Sequence, residues 1–173
     1  IKHYAGYGTN GDTGVNVTID EQTFHEFYVT SFEYAIKYGN AASVMTTYNS
    51  IEIPGFTEEN GEFTDSNDYI NLDVLREIVG FKGMICCDWG GQKEMSSFQG
   101  NTMAMPTAGN NTKENIEAAI EAGEGTFDEI VENVKANLYA YGVAGYLYYS
   151  YSNIYYVDGE ARVKRDVNRD CAD

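Results

Sequence analysis

The feature that most constrains the fold is an unbroken apolar run, Met84-Ile85-Cys86-Cys87, that leads directly into Asp88. A run of this length is typical of a strand buried on both faces of a parallel sheet. A carboxylate at the carboxyl end of such a strand occupies the place where barrel and doubly wound enzymes carry their chemistry. A simpler role stays open, because Asp is also favoured at the start of a helix or turn.

Strands and helices are predicted to alternate on both sides of this run. A helix is predicted over residues 21–38, with Asp20 as its cap and Gly39 as its end. Its apolar, core-facing residues, at three- and four-residue spacing, are Phe24, Phe27, Tyr28, Phe32, Ala35 and Ile36. The other predicted strands are residues 1–5, 42–48 and 102–105, and the other predicted helices are residues 72–79, 92–98, 112–122 and a last helix that begins at the Thr126 capping box. The alternation predicts an α/β fold, a partial (β/α)8 barrel of about four βα units, because a complete barrel needs about 250 residues.

The carboxyl-terminal residues 141–173 are predicted to form a tyrosine-rich β-hairpin and tail beyond the barrel-like part, residues 1–140. Eight tyrosines occur between Tyr139 and Tyr156. The sequence Val157-Asp158-Gly159-Glu160 is a hairpin-turn signal, and residues 161–167 are predicted to return as a strand. Such strands can bind sugars or form assembly surfaces, since tyrosine gives a large contact area at low entropic cost. Plain packing is an equal alternative.

The chain is strongly acidic, with a formal net charge of -16 and a pI near 4.3. This charge argues against a nucleic-acid partner, which needs a basic face, and against adsorption to anionic membranes. No stretch of the sequence approaches the roughly twenty apolar residues that span a bilayer. The composition therefore favours a protein that acts on a neutral substrate.

The three cysteines follow no spacing that indicates a disulfide framework or a zinc site, and no cofactor is expected. The chain begins at Ile1 inside a predicted strand, without an initiator Met or a signal peptide, which indicates a processed or partial chain. Two Asn-X-Thr tripeptides, at Asn16 and Asn110, are compatible with glycosylation. A secreted or extracellular location is expected on that basis.

Five short motifs follow one another along the chain. They are Lys2-His3, Met45-Thr46-Thr47-Tyr48-Asn49, Leu75-Arg76 with Gly80-Phe81-Lys82-Gly83, Asp88-Trp89 and Met103-Ala104-Met105-Pro106. Each motif is weak by itself, but their order and spacing over residues 1–140 resemble glycoside hydrolase family 3. That family includes β-glucosidases and N-acetylglucosaminidases.

The resemblance implies the second half of a (β/α)8 barrel and a retaining glycosidase acting on β-linked glucosides or related sugars. Asp88 would be the nucleophile that attacks the anomeric carbon and forms a glycosyl-enzyme intermediate. Lys2 and His3 would donate hydrogen bonds to hydroxyls of the sugar whose linkage is cleaved. Without the family context, the same two residues could be an unliganded strand end.

Three further residues have roles implied by the resemblance. Tyr48 would hydrogen-bond and orient the nucleophile, Met45 would line the pocket, and Trp89 would stack on the neighbouring sugar. Each has a plainer alternative: Met45 and Tyr48 could fill the barrel interior, and Trp89 could belong to the core.

Some features depart from the family. No arginine occurs before Arg76, whereas the family carries one shortly after its lysine-histidine pair, and Cys87 takes the place of a common serine. No acid/base residue can be assigned, and nothing supports giving that role to Glu94. Two functions therefore stay open. One is a glycosidase fragment or subunit, completed by a missing barrel half. The other is a non-catalytic structural protein that reuses the half-barrel and assembles as a homo-oligomer or filament.

Overall fold

The computed structural model describes residues 1–8, 15–92, 94–144, 154–157 and 160–163, the last two ranges by their backbone alone. In chain order the strands are β1 (Lys2–Tyr4), β2 (Asn16–Thr18), β3 (Ser43–Thr46), β4 (Ser50–Glu52), β5 (Glu62–Phe63), β6 (Met84–Cys86), β7 (Ile154–Val157) and β8 (Glu160–Val163). The helices are α1 (Glu21–Thr23, Phe24–Val29 and Thr30–Lys37 in one continuous run), α2 (Tyr69–Ile78), α3 (Lys113–Ala122) and α4 (Phe127–Val143).

The central sheet consists of three parallel strands in the order β1-β3-β6. These are three of the four predicted strands, with shorter bounds. The fourth, predicted over residues 102–105, is reduced to an isolated parallel bridge between Met103 and Cys86. The structure thus shows an α/β arrangement. Within the central sheet, β3 lies beside β1, and β6 lies beside β3.

Helix α1 starts where the sequence predicts, because the Asp20 side chain accepts a hydrogen bond from the backbone N–H of Thr23 at 2.9 Å. Its middle part is π-helical, with the N–H of Thr30 bonded to the carbonyl of His25, five residues back. This widening breaks the assumed 3.6-residue period. Phe24 is buried as predicted, whereas Phe27, predicted to face the core, is 72% exposed.

The helix predicted over residues 92–98 is wrong, since the described residues of this stretch form bends and turns. Ser96 and Ser97 form hydrogen bonds with the side chain of Asn111 instead of the regular backbone hydrogen bonds of a helix. Its Oδ1 accepts from the backbone N–H of Ser96 at 2.8 Å and from the hydroxyl of Ser97 at 2.7 Å. The last two predicted helices are confirmed, and the Thr126 capping box with Glu129 opens α4.

A second small sheet, in the order β2-β4-β5, occupies stretches that the sequence analysis treats as loops. Strand β2 is parallel to β4, and β5 is antiparallel to it. Ile51 of β4 and the neighbouring Ile53 are fully buried in the same apolar core as the central sheet. The second sheet is therefore part of the packed body and not a separate flap.

The apolar core lies between the central sheet and helices α1 and α2. Its buried members are Tyr4, Ala5, Ile19, Phe24, Val29, Val44, Ile51, Ile53, Ile70, Val74, Leu75, Val79, Phe81 and Ile85. None of the helices within the described ranges is long and apolar enough to cross a membrane.

The predicted hairpin is present in the backbone, where β7 and β8 pair antiparallel from Ile154 with Val163 to Val157 with Glu160. The rest of the tyrosine-rich stretch, residues 145–153, and the predicted continuation of the returning strand, residues 164–167, lie outside the described residues. The division into a unit at residues 1–140 and a tail at 141–173 stays a prediction.

Candidate active site

Asp88 and His3 meet at the carboxyl edge of the central sheet. Strands β1 and β6 both run parallel to β3, so the residues that end them reach the same edge. Nε2 of His3 lies 3.1 Å from Oδ2 of Asp88, and the two side chains keep 22% and 15% of their surface exposed. The other oxygen, Oδ1, accepts from the backbone N–H of Trp89 at 2.7 Å. The carboxylate is therefore held on two sides and still reached by solvent.

The imidazole of His3 has its pKa lowered from the ordinary value, first by burial and then by the charge of Lys2. The charge and hydrogen bond of Asp88 act in the opposite direction but do not offset these two effects. The ring is therefore mainly neutral at pH 7. A carboxylate oxygen can only accept a hydrogen bond. The ring proton of His3 is therefore on Nε2, which donates a hydrogen bond to Asp88.

Tyr48 and Trp89 flank this pair. The hydroxyl of Tyr48 donates to the backbone carbonyl of Trp89 at 2.9 Å. Burial, followed by the charge and hydrogen bonding of Asp88, raises the pKa of Tyr48, so its hydroxyl stays protonated. The Trp89 side chain is 66% exposed, which excludes the alternative that it belongs to the core of the described chain.

Lys2 and Met45 adjoin the site through the register of the sheet. Met45 pairs with Lys2 on one side and with Cys86 on the other, which places these three residues in one row across the strands. Met45 is half-buried, whereas Lys2 is exposed. The structure thus brings together Asp88, His3, Tyr48 and the Trp89 backbone, and it places Lys2 and Met45 beside them. The roles of these residues towards a sugar stay predictions.

Tyr7 is a site residue that the sequence analysis does not single out. Its ring makes an edge contact with His3 at a centroid distance of 5.2 Å and another with Tyr48 at 6.1 Å. It is half-buried, and it lies in a Gly-rich loop, where no periodicity marks one side chain as different from the next. Tyr7 therefore packs between His3 and Tyr48, the two residues that flank Asp88.

Thr47, Asn49 and Thr64 form a buried polar network next to Tyr48 that no sequence motif indicates. The hydroxyl of Thr64 accepts from the backbone N–H of Thr47 at 2.9 Å and donates to its carbonyl at 3.1 Å. Asn49 bonds to the Thr47 hydroxyl, and its amide donates to the carbonyl of Ser50 at 3.0 Å. These bonds satisfy buried polar groups on both sides of Tyr48 and so fix the backbone that carries it.

The described site is a carboxylate that accepts from two neutral donors, Nε2 of His3 and the backbone N–H of Trp89, with the charged Lys2 next to His3 in β1. Within the described ranges, no three His, Cys, Asp or Glu side chains converge as metal ligands. A carboxylate that is held in place and reached by solvent can act as a nucleophile.

The family comparison agrees with the motif order. The sequence model described as Glycosyl hydrolase family 3 N terminal domain matches residues 1–131. The chain belongs to glycosyl hydrolase family 3. Beta-glucosidase B of Emericella nidulans is 36% identical over 143 residues, which cover 78% of this chain and 16% of that protein. Thermostable beta-glucosidase B of Acetivibrio thermocellus is 30% identical over 127 residues, covering 72% of this chain and 16% of its own length.

Solved structures of beta-glucosidases share the fold. Beta-glucosidase 3B from Thermotoga neapolitana in complex with glycerol superposes with a TM-score of 0.70 at 25% identity, covering 82% of this chain and 20% of that one. A beta-glucosidase from Kluyveromyces marxianus gives a TM-score of 0.73 at 20% identity, covering 98% of this chain and 19% of that one, and supports the fold alone. The chain thus spans 16% to 20% of the length of these four relatives.

Proposed function

We propose that this chain carries the nucleophile side of a retaining β-glucosidase site, with Asp88 as the nucleophile and β-linked glucosides or related sugars as substrates. The observation that carries the proposal is the 3.1 Å contact between His3 and Asp88, which joins two separate family motifs at one edge of a parallel sheet. Membership of family 3 and the β-glucosidases among its relatives support the substrate class.

The proposed reaction begins when the Asp88 carboxylate attacks the anomeric carbon of the bound sugar. The bond from that carbon to the leaving oxygen breaks, and a glycosyl ester on Asp88 forms. Water then attacks the same carbon, the bond to Asp88 breaks, and the sugar leaves with its original configuration. The acid/base residue, which is not assigned in this chain, would give a proton to the leaving oxygen in the first step and take one from water in the second. Throughout, the Trp89 backbone N–H holds the carboxylate in one orientation, and the Tyr48 hydroxyl would support it by donating to the carbonyl of Trp89.

The surrounding residues are proposed to hold the sugar. On sugar binding, the Nε2–H of His3 would move its hydrogen bond from Asp88 to a ring hydroxyl, which frees that carboxylate oxygen for attack. The ammonium of Lys2, the neighbouring residue in β1, would donate to another hydroxyl of the ring. The exposed indole of Trp89 offers an apolar face on which a neighbouring sugar ring can stack. Met45, half-buried in the same row of the sheet as Lys2, would line the base of the pocket.

We further propose that the chain forms the second half of a (β/α)8 barrel and is completed by another half. Among the described strands, β1 pairs with β3 alone, and the far side of β6 meets only the bridge at Met103. An open parallel sheet leaves unpaired backbone groups at both edges, which barrel closure removes. The second carboxyl group, the acid/base, is expected to come from this companion.

A second function, a non-catalytic self-assembling protein, is favoured by one observation. Phe27, Tyr34 and Tyr38 lie along one side of α1 and are 72%, 62% and 80% exposed. Aromatic side chains in such a row are typical of a protein–protein contact. The two functions can be told apart by their dependence on Asp88. Self-assembly should be unchanged in Asp88→Asn, whereas glycoside hydrolysis should be lost.

The proposal is tested by Asp88→Asn, which keeps the shape of the side chain and removes its charge. The assay is hydrolysis of 2,4-dinitrophenyl β-glucoside, whose leaving group needs no protonation, by the purified chain. Asp88→Asn should lower turnover by about 10³-fold or more, the range for a lost nucleophile. The matched control is Asp73→Asn, an exposed carboxylate on α2, which should leave turnover unchanged.

Two results would count against the proposal. Equal turnover by Asp88→Asn and the parent chain excludes Asp88 as the nucleophile. Hydrolysis of an alkyl β-glucoside needs a proton donor. Full activity of the chain alone on such a substrate would therefore contradict the proposal that the acid/base comes from a companion.

A further inference from the structure

Cys87, the residue before Asp88, is bonded to two other segments of the site. It is fully buried, and its thiol donates to Oε1 of Gln92 at 2.9 Å. The backbone N–H of Met105 donates to the same sulfur at 3.0 Å, and the Met105 carbonyl lies 3.6 Å away. One side chain therefore joins the end of β6, the turn that follows Asp88 and the segment before Pro106.

Further bonds connect the same two segments. The backbone N–H of Gly90 donates to the carbonyl of Met105 at 2.8 Å. The side-chain amide of Gln92 donates to the carbonyl of Thr107 at 2.6 Å. The turn of residues 88–92 is thus attached to residues 105–107 at its middle and its end. The Cys87 thiol, bonded to both segments, lies next to the residue that bears the carboxylate.

The thiol keeps its proton in this environment. Burial raises the pKa of Cys87 and outweighs the Met105 backbone hydrogen bond, which lowers it; Asp65 and Cys86 act in the same direction as burial. A protonated thiol can donate its S–H to Oε1 of Gln92 and accept the N–H of Met105 on a sulfur lone pair. Both hydrogen bonds can therefore exist together. Each bond is weak, and the importance of the pair lies in geometry. A misplacement of about 1 Å in an active site can cost about 10²-fold in rate.

We propose that Cys87 is a positioning residue whose thiol holds the turn of residues 88–92 against Met105 and so keeps the Asp88 carboxylate opposite His3. The effect on catalysis rests on the proposed function. The effect on the geometry of the His3–Asp88 pair does not, and it can be measured separately.

The first test is titration of the His3 imidazole by NMR in Cys87→Ala, Cys87→Ser and the control Cys86→Ala. Asp88 raises the pKa of His3, whereas burial and Lys2 lower it. When Cys87→Ala releases Asp88, the pKa of His3 should therefore fall further. Cys87→Ser should restore most of the parent value, because a hydroxyl can also donate and accept. Cys86→Ala, which removes the adjacent buried thiol, should leave it unchanged.

The second test is covalent trapping by 2,4-dinitrophenyl 2-deoxy-2-fluoro-β-glucoside, followed by intact mass. Cys87→Ala should slow trapping by about 10- to 100-fold, with recovery in Cys87→Ser. If no protein is trapped, including the parent chain, the proposed function fails, and the His3 titration still decides the positioning role.

The proposal is overturned if folded Cys87→Ala has the parent pKa at His3. Should that variant not fold, Gln92→Ala takes its place, since it removes the acceptor of the thiol from a half-buried position. It should shift the His3 pKa in the same direction, and an unchanged value would equally overturn the proposal.

Discussion

Replacing Tyr4 by alanine is expected to lower the free energy of unfolding by about 3–5 kcal/mol, the range for a buried aromatic ring. Tyr4 is fully buried in β1. Its ring packs against Phe32 and Phe24 at centroid distances of 5.0 and 6.2 Å. Its hydroxyl donates to the carbonyl of Ile70 at 3.0 Å, which joins the first strand to helix α2. Loss of this side chain leaves a cavity between the sheet and both helices.

The variant Tyr4→Phe separates the hydroxyl from the ring. It keeps the aromatic packing and removes one buried hydrogen bond, which should cost about 1 kcal/mol. The difference between the two variants then measures the ring alone. Because Tyr4 directly follows His3, the alanine variant should also loosen the strand that presents the imidazole to Asp88.

Urea unfolding followed by circular dichroism, with linear extrapolation to water, gives the free energies needed. Tyr38→Ala is the matched control, since that tyrosine is 80% exposed and its loss should change stability by at most about 0.5 kcal/mol. If Tyr4→Ala costs no more than Tyr38→Ala, the assignment of Tyr4 to the core is refuted.

Two further predictions concern a glycine and the open sheet. Gly83→Ala should cost about 1–3 kcal/mol, because the new Cβ would lie 2.1 Å from the carbonyl oxygen of Ala42. Gly8→Ala, which meets nothing within 4 Å, should be neutral in the same urea assay, and equal costs would contradict the steric reasoning. Light scattering at micromolar concentration should show association of the purified chain, because β1 and Met103 end the described central sheet at open edges. A stable, compact monomer with ordered tyrosine signals would contradict this.

The elements that could be predicted from the sequence are those with a strong local signal. The unbroken apolar run at β6 and the capping box at Thr126 each determine one structure with few competitors. The second sheet could not be predicted, because its strands have two or three residues and show no measurable period. The exposure of Phe27 was missed because the π-helical part of α1 shifts the face that a regular helix would bury.

The meeting of His3 and Asp88 could be anticipated for a topological reason. His3 lies in β1, and Asp88 lies just beyond the end of β6. Both strands belong to one parallel sheet, and the carboxyl ends of parallel strands share an edge. Tyr7 and the Thr47–Thr64 network could not be anticipated in this way. Their positions depend on loops whose conformation is set by tertiary contacts, and loop sequences carry no period from which to derive an orientation.

The proposed mechanism needs two carboxyl groups about 5 Å apart, and the proposed function assigns one of them, Asp88. Glu94, the nearest carboxylate along the chain, accepts from the Ser66 hydroxyl at 3.5 Å. It lies close enough to Glu62 to help raise the pKa of that carboxyl, an effect caused first by burial. These two interactions place Glu94 beside Ser66 and near Glu62. Under the proposed function, we therefore expect the proton donor for the leaving group to come from the proposed companion half. A companion that closes the open edges of this sheet would then bring the proton donor to the same edge as Asp88.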